Sequence, residues 1–165
     1  MTNNEILQLI ATTFELNSIA LIDIFALADV TITDEQATTW LKAEGDEAVE
    51  SLSDTNLSVF LNGFINLKRG KREGEQPQPQ AHLNNNMIFQ KLRIALDLKT
   101  EEIVDIFQLA KFDLSKHEVT AFFRKPGNKH YKECRDKTLK KFLQGVSTQL
   151  HESEVDLDLD LDLDQ

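Results

Sequence analysis

The sequence predicts an all-α protein built from two tandem, similar four-helix units, with a flexible linker between them and an acidic tail after them. First, the chain matches itself when it is shifted by 82 positions, without a gap from Asn3 to Gly63. Second, apolar residues recur three and four positions apart at the same places in both copies. Third, no stretch before the tail alternates with period two for long enough to predict a sheet. We expect the units to pack together, because folded units of about 65 residues have thin cores.

Each predicted helix is supported by matched apolar residues in the two copies. The first helix is marked by Ile6, Ile10 and Phe14, the second by Leu21, Ile24, Phe25 and Ala28, the third by Ala37, Trp40 and Leu41, and the fourth by Leu57, Phe60, Leu61 and Phe64. Their partners are Ile88, Leu92 and Leu96, then Ile103, Ile106, Phe107 and Ala110, then Val119, Phe122 and Phe123, then Leu139, Phe142, Leu143 and Val146. A duplicated folding unit explains this agreement.

Side chains that can accept the unpaired N–H groups of a first turn indicate where these helices begin. The predicted capping residues are Asn4 and Asn86 for the first helix, Ser18 and Thr100 for the second, Thr33 with Gln36 and Ser115 with Glu118 for the third, and Asp54 and Asp136 for the fourth. Gly63 and Gly145 lie inside the fourth helix, where glycine costs about 1 kcal/mol relative to alanine. Either a close helix crossing offsets this cost, or the helix frays there. Gly45 and Gly127 are predicted turn residues.

Composition shifts divide the chain into four predicted segments. They are an acidic helical unit over residues 1–67, a basic and proline-containing linker over 68–82, a basic helical unit over 83–151, and an acidic tail over 152–165. The tail, ESEVDLDLDLDLDQ, is predicted to be disordered because its carboxylates repel one another. The alternative is a segment that folds onto a basic, apolar groove of this protein or of another.

Charge is distributed unevenly, although the chain as a whole has a net charge of −10. Residues 1–67 carry −10, the linker +2, residues 83–151 +5, and residues 152–165 carry −7. Clustered charges of opposite sign favour contact with another molecule. We therefore expect a protein partner or self-association, with nucleic acid as a possible second class of partner.

Several classes of function have little support in the sequence. The N-terminal residues are amphipathic and the longest apolar run ends at Asp23, so we expect a cytoplasmic protein with no membrane contact. Neither nucleotide-binding nor hydrolase motifs occur, so we expect no enzyme activity and no cofactor. The histidines lack metal-ligand spacing, so no metal site is expected. Cys134 has cationic neighbours that could activate a thiol, but its repeat counterpart is Leu52, which favours a small buried side chain.

The basic residues of the second unit form the candidate site. Charge and helical spacing select Arg93, Arg124, Lys125, Lys129, Tyr131, Lys132, Lys137, Lys140 and Lys141, with Lys91, His130 and Gln144 close to them in the pattern. Such residues could neutralise phosphates while Tyr131 stacks on a base. They could equally dock an acidic protein surface, which suits a chain whose overall negative charge repels nucleic acid.

Four stretches also carry a family resemblance. FLNGFINLKRGKREG, LNNNMIFQKLRIALDLK, SKHEVTAFFRKPGNKHYKEC and DKTLKKFL together resemble the YehS-like bacterial proteins, a family of uncharacterised tandem-repeat domains. The resemblance spans roughly residues 3–150 and implies a small cytosolic protein with two copies of a helical domain. It implies no activity, substrate or catalytic residue, and the DLDLDLDLD tail departs from the family pattern. The function we expect is therefore a non-catalytic protein-binding or adaptor module with charge-complementary lobes, and the alternative is a nucleic-acid binder whose acidic tail competes for the basic unit.

Overall fold

The structure, a computed structural model, describes residues 1–42 and 50–163, with side chains described as far as Val155. The described residues form eight α-helices and no strand. The helices are α1 (Asn3–Phe14), α2 (Ser18–Leu27), α3 (Asp34–Trp40), α4 (Asp54–Arg69), α5 (Asn85–Leu96), α6 (Thr100–Leu109), α7 (Lys116–Ala121) and α8 (Asp136–Leu163). The prediction of an all-α chain with two similar sets of four helices is confirmed.

The chain divides into two compact units, and the boundary lies between Leu98 and Lys99. The first unit contains α1 to α5 and the second contains α6 to α8. The sequence repeat, by contrast, begins its second copy before α5. The first helix of the second sequence repeat therefore belongs, by its packing, to the first compact unit.

The helix starts agree with the prediction for the third helix and differ for the first two. Thr33 with Gln36 and Ser115 with Glu118 form the predicted capping boxes of α3 and α7. The N-caps of α1 and α5 are Thr2 and Asn84, two residues before the predicted Asn4 and Asn86, and the N-caps of α2 and α6 are Asn17 and Lys99. Ser53 caps α4, which begins at the predicted Asp54.

Asn4 has a different role from the one predicted, because it is buried. Its side-chain amide donates to the Glu50 carbonyl at 2.8 Å and accepts from the Leu52 N–H at 2.9 Å. A buried backbone N–H needs such a partner. Asn4 therefore fixes the chain that leads into α4 rather than the start of α1.

The duplication extends to unusual backbone conformations. The non-glycine residues with positive φ are Glu15, Asp29, Asp97 and Lys111. These are two pairs separated by the repeat offset, and each pair follows the first or the second helix of its copy. Left-handed residues commonly end helices. The two copies thus share their helix terminations as well as their helices.

Gly63 and Gly145 mark close helix crossings, so the first of the two predicted alternatives is correct. A Cβ atom at Gly63 would lie 2.0 Å from the carbonyl oxygen of Ile24, and one at Gly145 would lie 2.1 Å from that of Ile106. Only glycine allows backbones this close. The fourth helix of each repeat therefore crosses the second helix at a point where a side chain has no room.

Each unit has an aromatic core next to its crossing. In the first unit the Phe25 ring lies 5.6 Å from Trp40 and 6.2 Å from Phe60, centroid to centroid. In the second unit the Phe107 ring lies 5.9 Å from Phe142. Phe107 and Phe142 are the repeat counterparts of Phe25 and Phe60, and all four are fully buried. The matched apolar spacing of the sequence thus marks the true core.

Helices α4 and α5 lie side by side and run parallel. Asp54 accepts from the Leu83 N–H at 3.0 Å, Asn62 accepts from Lys91 Nζ at 2.6 Å, and the Arg69 guanidinium pairs with Asp97 at 2.8 Å. The partners are 29, 29 and 28 positions apart in sequence, so one register holds along the whole of α4. The bonds from Leu83 and Asn3 also hold the pKa of Asp54 below its usual range.

The tail differs from the predicted disorder, since residues 152–163 continue α8. Adding a residue to an existing helix costs far less than nucleating a new one, so a helix that is anchored in a core readily extends. The predicted turn at Gly45 lies outside the described residues. Within the described chain no single helix is both long and apolar enough to cross a membrane, and α1 with α2 passes that test only as a pair bent by 104°.

Candidate docking site

One side of α8 is basic and exposed. Lys140 and Gln144 are exposed and Lys141 is partly exposed, whereas Leu139, Phe142 and Leu143 on the opposite side are buried. This division follows the helical period, which places residues three and four positions apart on one face. We call the side with Lys140, Lys141 and Gln144 the α8 face.

The counterpart of the α8 face in the first unit is buried. Ser58, Val59 and Asn62 lie 82 positions before Lys140, Lys141 and Gln144, and their exposures are 0 %, 5 % and 7 %. Segments of the first unit cover them. Gln80 of the linker bonds the Ser58 hydroxyl through its side chain and its backbone N–H, and Lys91 of α5 bonds Asn62. The same helix face thus carries small, covered side chains in the first copy and basic, exposed side chains in the second.

Two further lysines lie over aromatic rings of the second unit. Lys137 Nζ is 5.9 Å from the Phe112 ring centroid, and Lys132 Nζ is 5.6 Å from that of Phe122. Lys132 also lies 3.9 Å from the Glu118 carboxylate. Cation–π contacts of this kind are worth about 0.5–1 kcal/mol at exposed sites. These two lysines therefore have structural contacts in addition to their charge.

The segment between α7 and α8 presents a second group of candidates. Lys125 and Lys129 are exposed and Tyr131 is partly exposed. Gly127, with φ of +94°, allows the turn, and Asn128 accepts from the Tyr131 N–H at 2.9 Å through its carbonyl oxygen. Arg124, at the start of this segment, is partly buried and its Nε has no hydrogen-bond partner in the described chain. The candidates of the second unit are thus divided between this segment and α8.

Arg93 and Lys91 belong to the first compact unit. The Arg93 Nε donates to the Leu98 carbonyl at 3.1 Å, which supports the end of α5. Lys91 binds Asn62, and burial lowers the pKa of its ammonium. Both side chains thus have contacts inside the first unit, which the charge pattern alone did not reveal.

Cys134 is buried, with an exposure of 2 %. Burial, together with the nearby Asp136 carboxylate, raises the pKa of its thiol to about 12. A thiol must ionise to act as a nucleophile. The environment therefore disfavours the reactive form, as its repeat counterpart Leu52 indicated.

In the described part of the chain, no group of three or more His, Cys, Asp or Glu side chains is placed to hold a metal ion. His117 and His130 do approach each other, with ring centroids 6.0 Å apart. Two imidazoles are fewer ligands than a stable zinc site uses.

Comparison with known proteins places the chain in a family without assigning it an activity. The family model described as "Protein of unknown function (DUF1456)" matches residues 3–70 and 85–151, which are the two sequence repeats. The chain is 40 % identical over 152 residues to "Uncharacterized protein YehS" of Escherichia coli (strain K12), covering 92 % of this chain and 97 % of that protein. No solved structure matches. The chain, with its two repeats, belongs to the DUF1456 family.

Proposed function

We propose that this protein is a non-catalytic protein-binding module, and that the α8 face docks an acidic surface of its partner. The observation that carries this proposal is the contrast between the two copies of one helix face. Ser58 and Val59 are buried in the first copy, whereas Lys140 and Lys141 replace them on an exposed face in the second. Two adjacent cations on a helical surface favour an acidic partner.

A direct binding measurement tests this proposal. A dye-labelled peptide rich in glutamate would be titrated with the full chain at low salt, and its fluorescence anisotropy followed. Reversing two charges with K140E/K141E should weaken binding about tenfold, since each exposed ion pair contributes up to about 1 kcal/mol. The matched control is R72E/K111E, which makes the same change of charge at exposed positions elsewhere.

Comparing the two double variants distinguishes binding at the α8 face from a general dependence on net charge. Equal loss of binding in both double variants would mean that only net charge matters, and it would contradict the α8 face as the docking site. Absence of peptide binding even at low salt would contradict the proposed function itself, because exposed ion pairs are strongest there.

A second candidate function is binding of single-stranded nucleic acid by the segment between α7 and α8. The observation that favours it is the partly exposed ring of Tyr131 near the exposed Lys125 and Lys129. Stacking of a base on an aromatic ring contributes about 1–3 kcal/mol. The same titration with labelled single-stranded DNA and RNA would detect it: Y131A should weaken binding at least about fivefold, and binding that Y131A leaves unchanged would count against this candidate.

A further inference from the structure

The side-by-side packing of α4 and α5 is a template for how another helix could bind α8. Helix α5 begins the second sequence repeat, and it covers α4 of the first repeat in a parallel register fixed by three contacts. Helix α8 is the counterpart of α4 in the second repeat. Residues 152–165 do not repeat the pattern of α1 and α5, whereas a second copy of the chain has the equivalent helix, α1. Repeat proteins stack by using the same interface again and again.

The outer side of α1 is the side that this packing would use. On α5, Lys91 contacts α4, and its counterpart on α1 is Leu9. Leu9 is partly exposed, while Ile6, Leu7 and Ile10 are buried in the core of the first unit. Folding of the first unit therefore leaves accessible the side of α1 that corresponds to the α4-facing side of α5.

Transferring the α4–α5 contacts to α8 and α1 brings an imidazole, which can donate a hydrogen bond, to a carboxylate. The pair Arg69 and Asp97 becomes His151 of one copy and Glu15 of another. Both of these side chains are exposed. Glu15 and Asp97 also share the left-handed backbone conformation at the end of their helices, with φ of 55° and 52°. The backbone that carries the acidic side chain thus has the same conformation at the two positions.

The remaining register agrees in charge. An offset of 29 on the α4–α5 pair places Ser58 opposite Met87, and the corresponding positions are Lys140 and Glu5. Gln144 takes the position of Asn62, opposite Leu9. The basic α8 face would thus meet the acidic repeat, since residues 1–67 carry −10 and residues 83–151 carry +5. Charge complementarity of this kind favours one orientation over others.

We propose that two copies of this protein associate head to tail, with α1 of one copy lying parallel along the α8 face of the other. This proposal rests on the proposed function and names a second copy as the acidic partner. Such an interface is heterologous, so it permits growth beyond a dimer. Because its contacts are mostly polar and exposed, we expect a dissociation constant between about 10 µM and 1 mM that rises with salt.

Sedimentation velocity of the full chain over a range of concentrations, at low and at high salt, tests this association. H151E should weaken it about tenfold, because it puts two carboxylates in contact, and E15R should weaken it less, because it only removes the carboxylate opposite His151. The double variant E15R/H151E, which places an arginine against a glutamate, should restore it to within about threefold of the original strength, and H151R, which recreates the arginine of the α4–α5 pair, should strengthen it about threefold. None of these substitutions removes a buried side chain or a hydrogen bond described in either unit.

Matched controls are Q149E on α8 and D23R on α2, both at exposed positions outside the two proposed faces. Association that survives H151E and E15R unchanged, or two weakened variants that the double swap fails to restore, would overturn the proposal. A chain that stays monomeric at about 1 mM and low salt would also overturn it. If that monomer still binds the glutamate peptide, only the second copy as partner is rejected. If the monomer does not bind the glutamate peptide either, the proposed function is rejected as well.

Discussion

Replacing Gly63 with alanine tests the crossing of α2 and α4. The new Cβ would lie 2.0 Å from the Ile24 carbonyl oxygen and 2.9 Å from its carbonyl carbon. Since ordinary contacts begin near 3.4 Å, the two helices would have to separate by more than 1 Å. Overpacking costs about 1–3 kcal/mol, and a clash with backbone belongs at the upper end. Alanine regains about 1 kcal/mol of helix propensity. The free energy of unfolding should therefore fall by about 2 kcal/mol.

Urea unfolding followed by Trp40 fluorescence reports this change locally. Trp40 is the only tryptophan, and its ring stacks on Phe25 of α2 in the first unit. With a slope of about 2 kcal/mol per molar urea, the midpoint should fall by about 1 M. The control substitution A26G, at an exposed position of α2, measures the difference in helix propensity between alanine and glycine away from the α2–α4 crossing. If G63A were as stable as the original chain or more stable, helix propensity alone would govern the site and the close crossing would be wrong.

Three further predictions concern other parts of the fold. G145A should destabilise the second unit by a similar amount, which far-UV circular dichroism in urea would measure; no loss of stability would contradict the repeat of the crossing. N4A should cost about 1–3 kcal/mol because it leaves the Leu52 N–H unpaired, whereas the control N56A should cost far less. Cys134 should not react with a thiol reagent at pH 8 until urea unfolds the chain. Because its thiol pKa rises from 9.0 to about 12 on folding, stability should fall as pH rises through this range, and C134A should fall less steeply; equal slopes would refute this effect.

The repeat made much of the fold predictable. Each helix was supported by two sets of residues in the same pattern. A helical spacing that arose by chance in one copy could be recognised, because the other copy lacked it. Phe25 and Phe60 are buried as their counterparts Phe107 and Phe142 are. The helical period decides burial when one side of a helix faces a core. That condition holds for both copies.

Helix capping was less predictable, because the same residue types serve several purposes. Asparagine is a preferred N-cap, yet Asn4 lies two residues after the N-cap Thr2 and bonds the chain near Leu52 instead. The local sequence around Asn4 contains no sign of a segment almost fifty residues away. Thr2 with Glu5 fits the capping-box spacing and gives the true start of α1.

The candidate site was only partly predictable for the same reason. Charge and spacing selected Lys140 and Lys141, which are accessible, but they also selected Arg93, which supports the end of α5. His151, Glu15 and Leu9 had no distinguishing pattern of their own. The contacts that we propose for them follow only when the register of α4 and α5 is transferred to the second repeat. Side-by-side helix packing is a long-range property that local periodicity does not contain.

The attachment of α5 to the first compact unit also determines where the chain can be shortened without exposing its core. The second copy of a duplicated segment is often regarded as dispensable for the folding of the first. Here a deletion of the second repeat would also remove the helix that covers Asn62, and it would leave a buried stretch of α4 facing water. The first compact unit thus depends on a helix of the second repeat, and the two repeats cannot be separated at the repeat boundary without exposing part of α4.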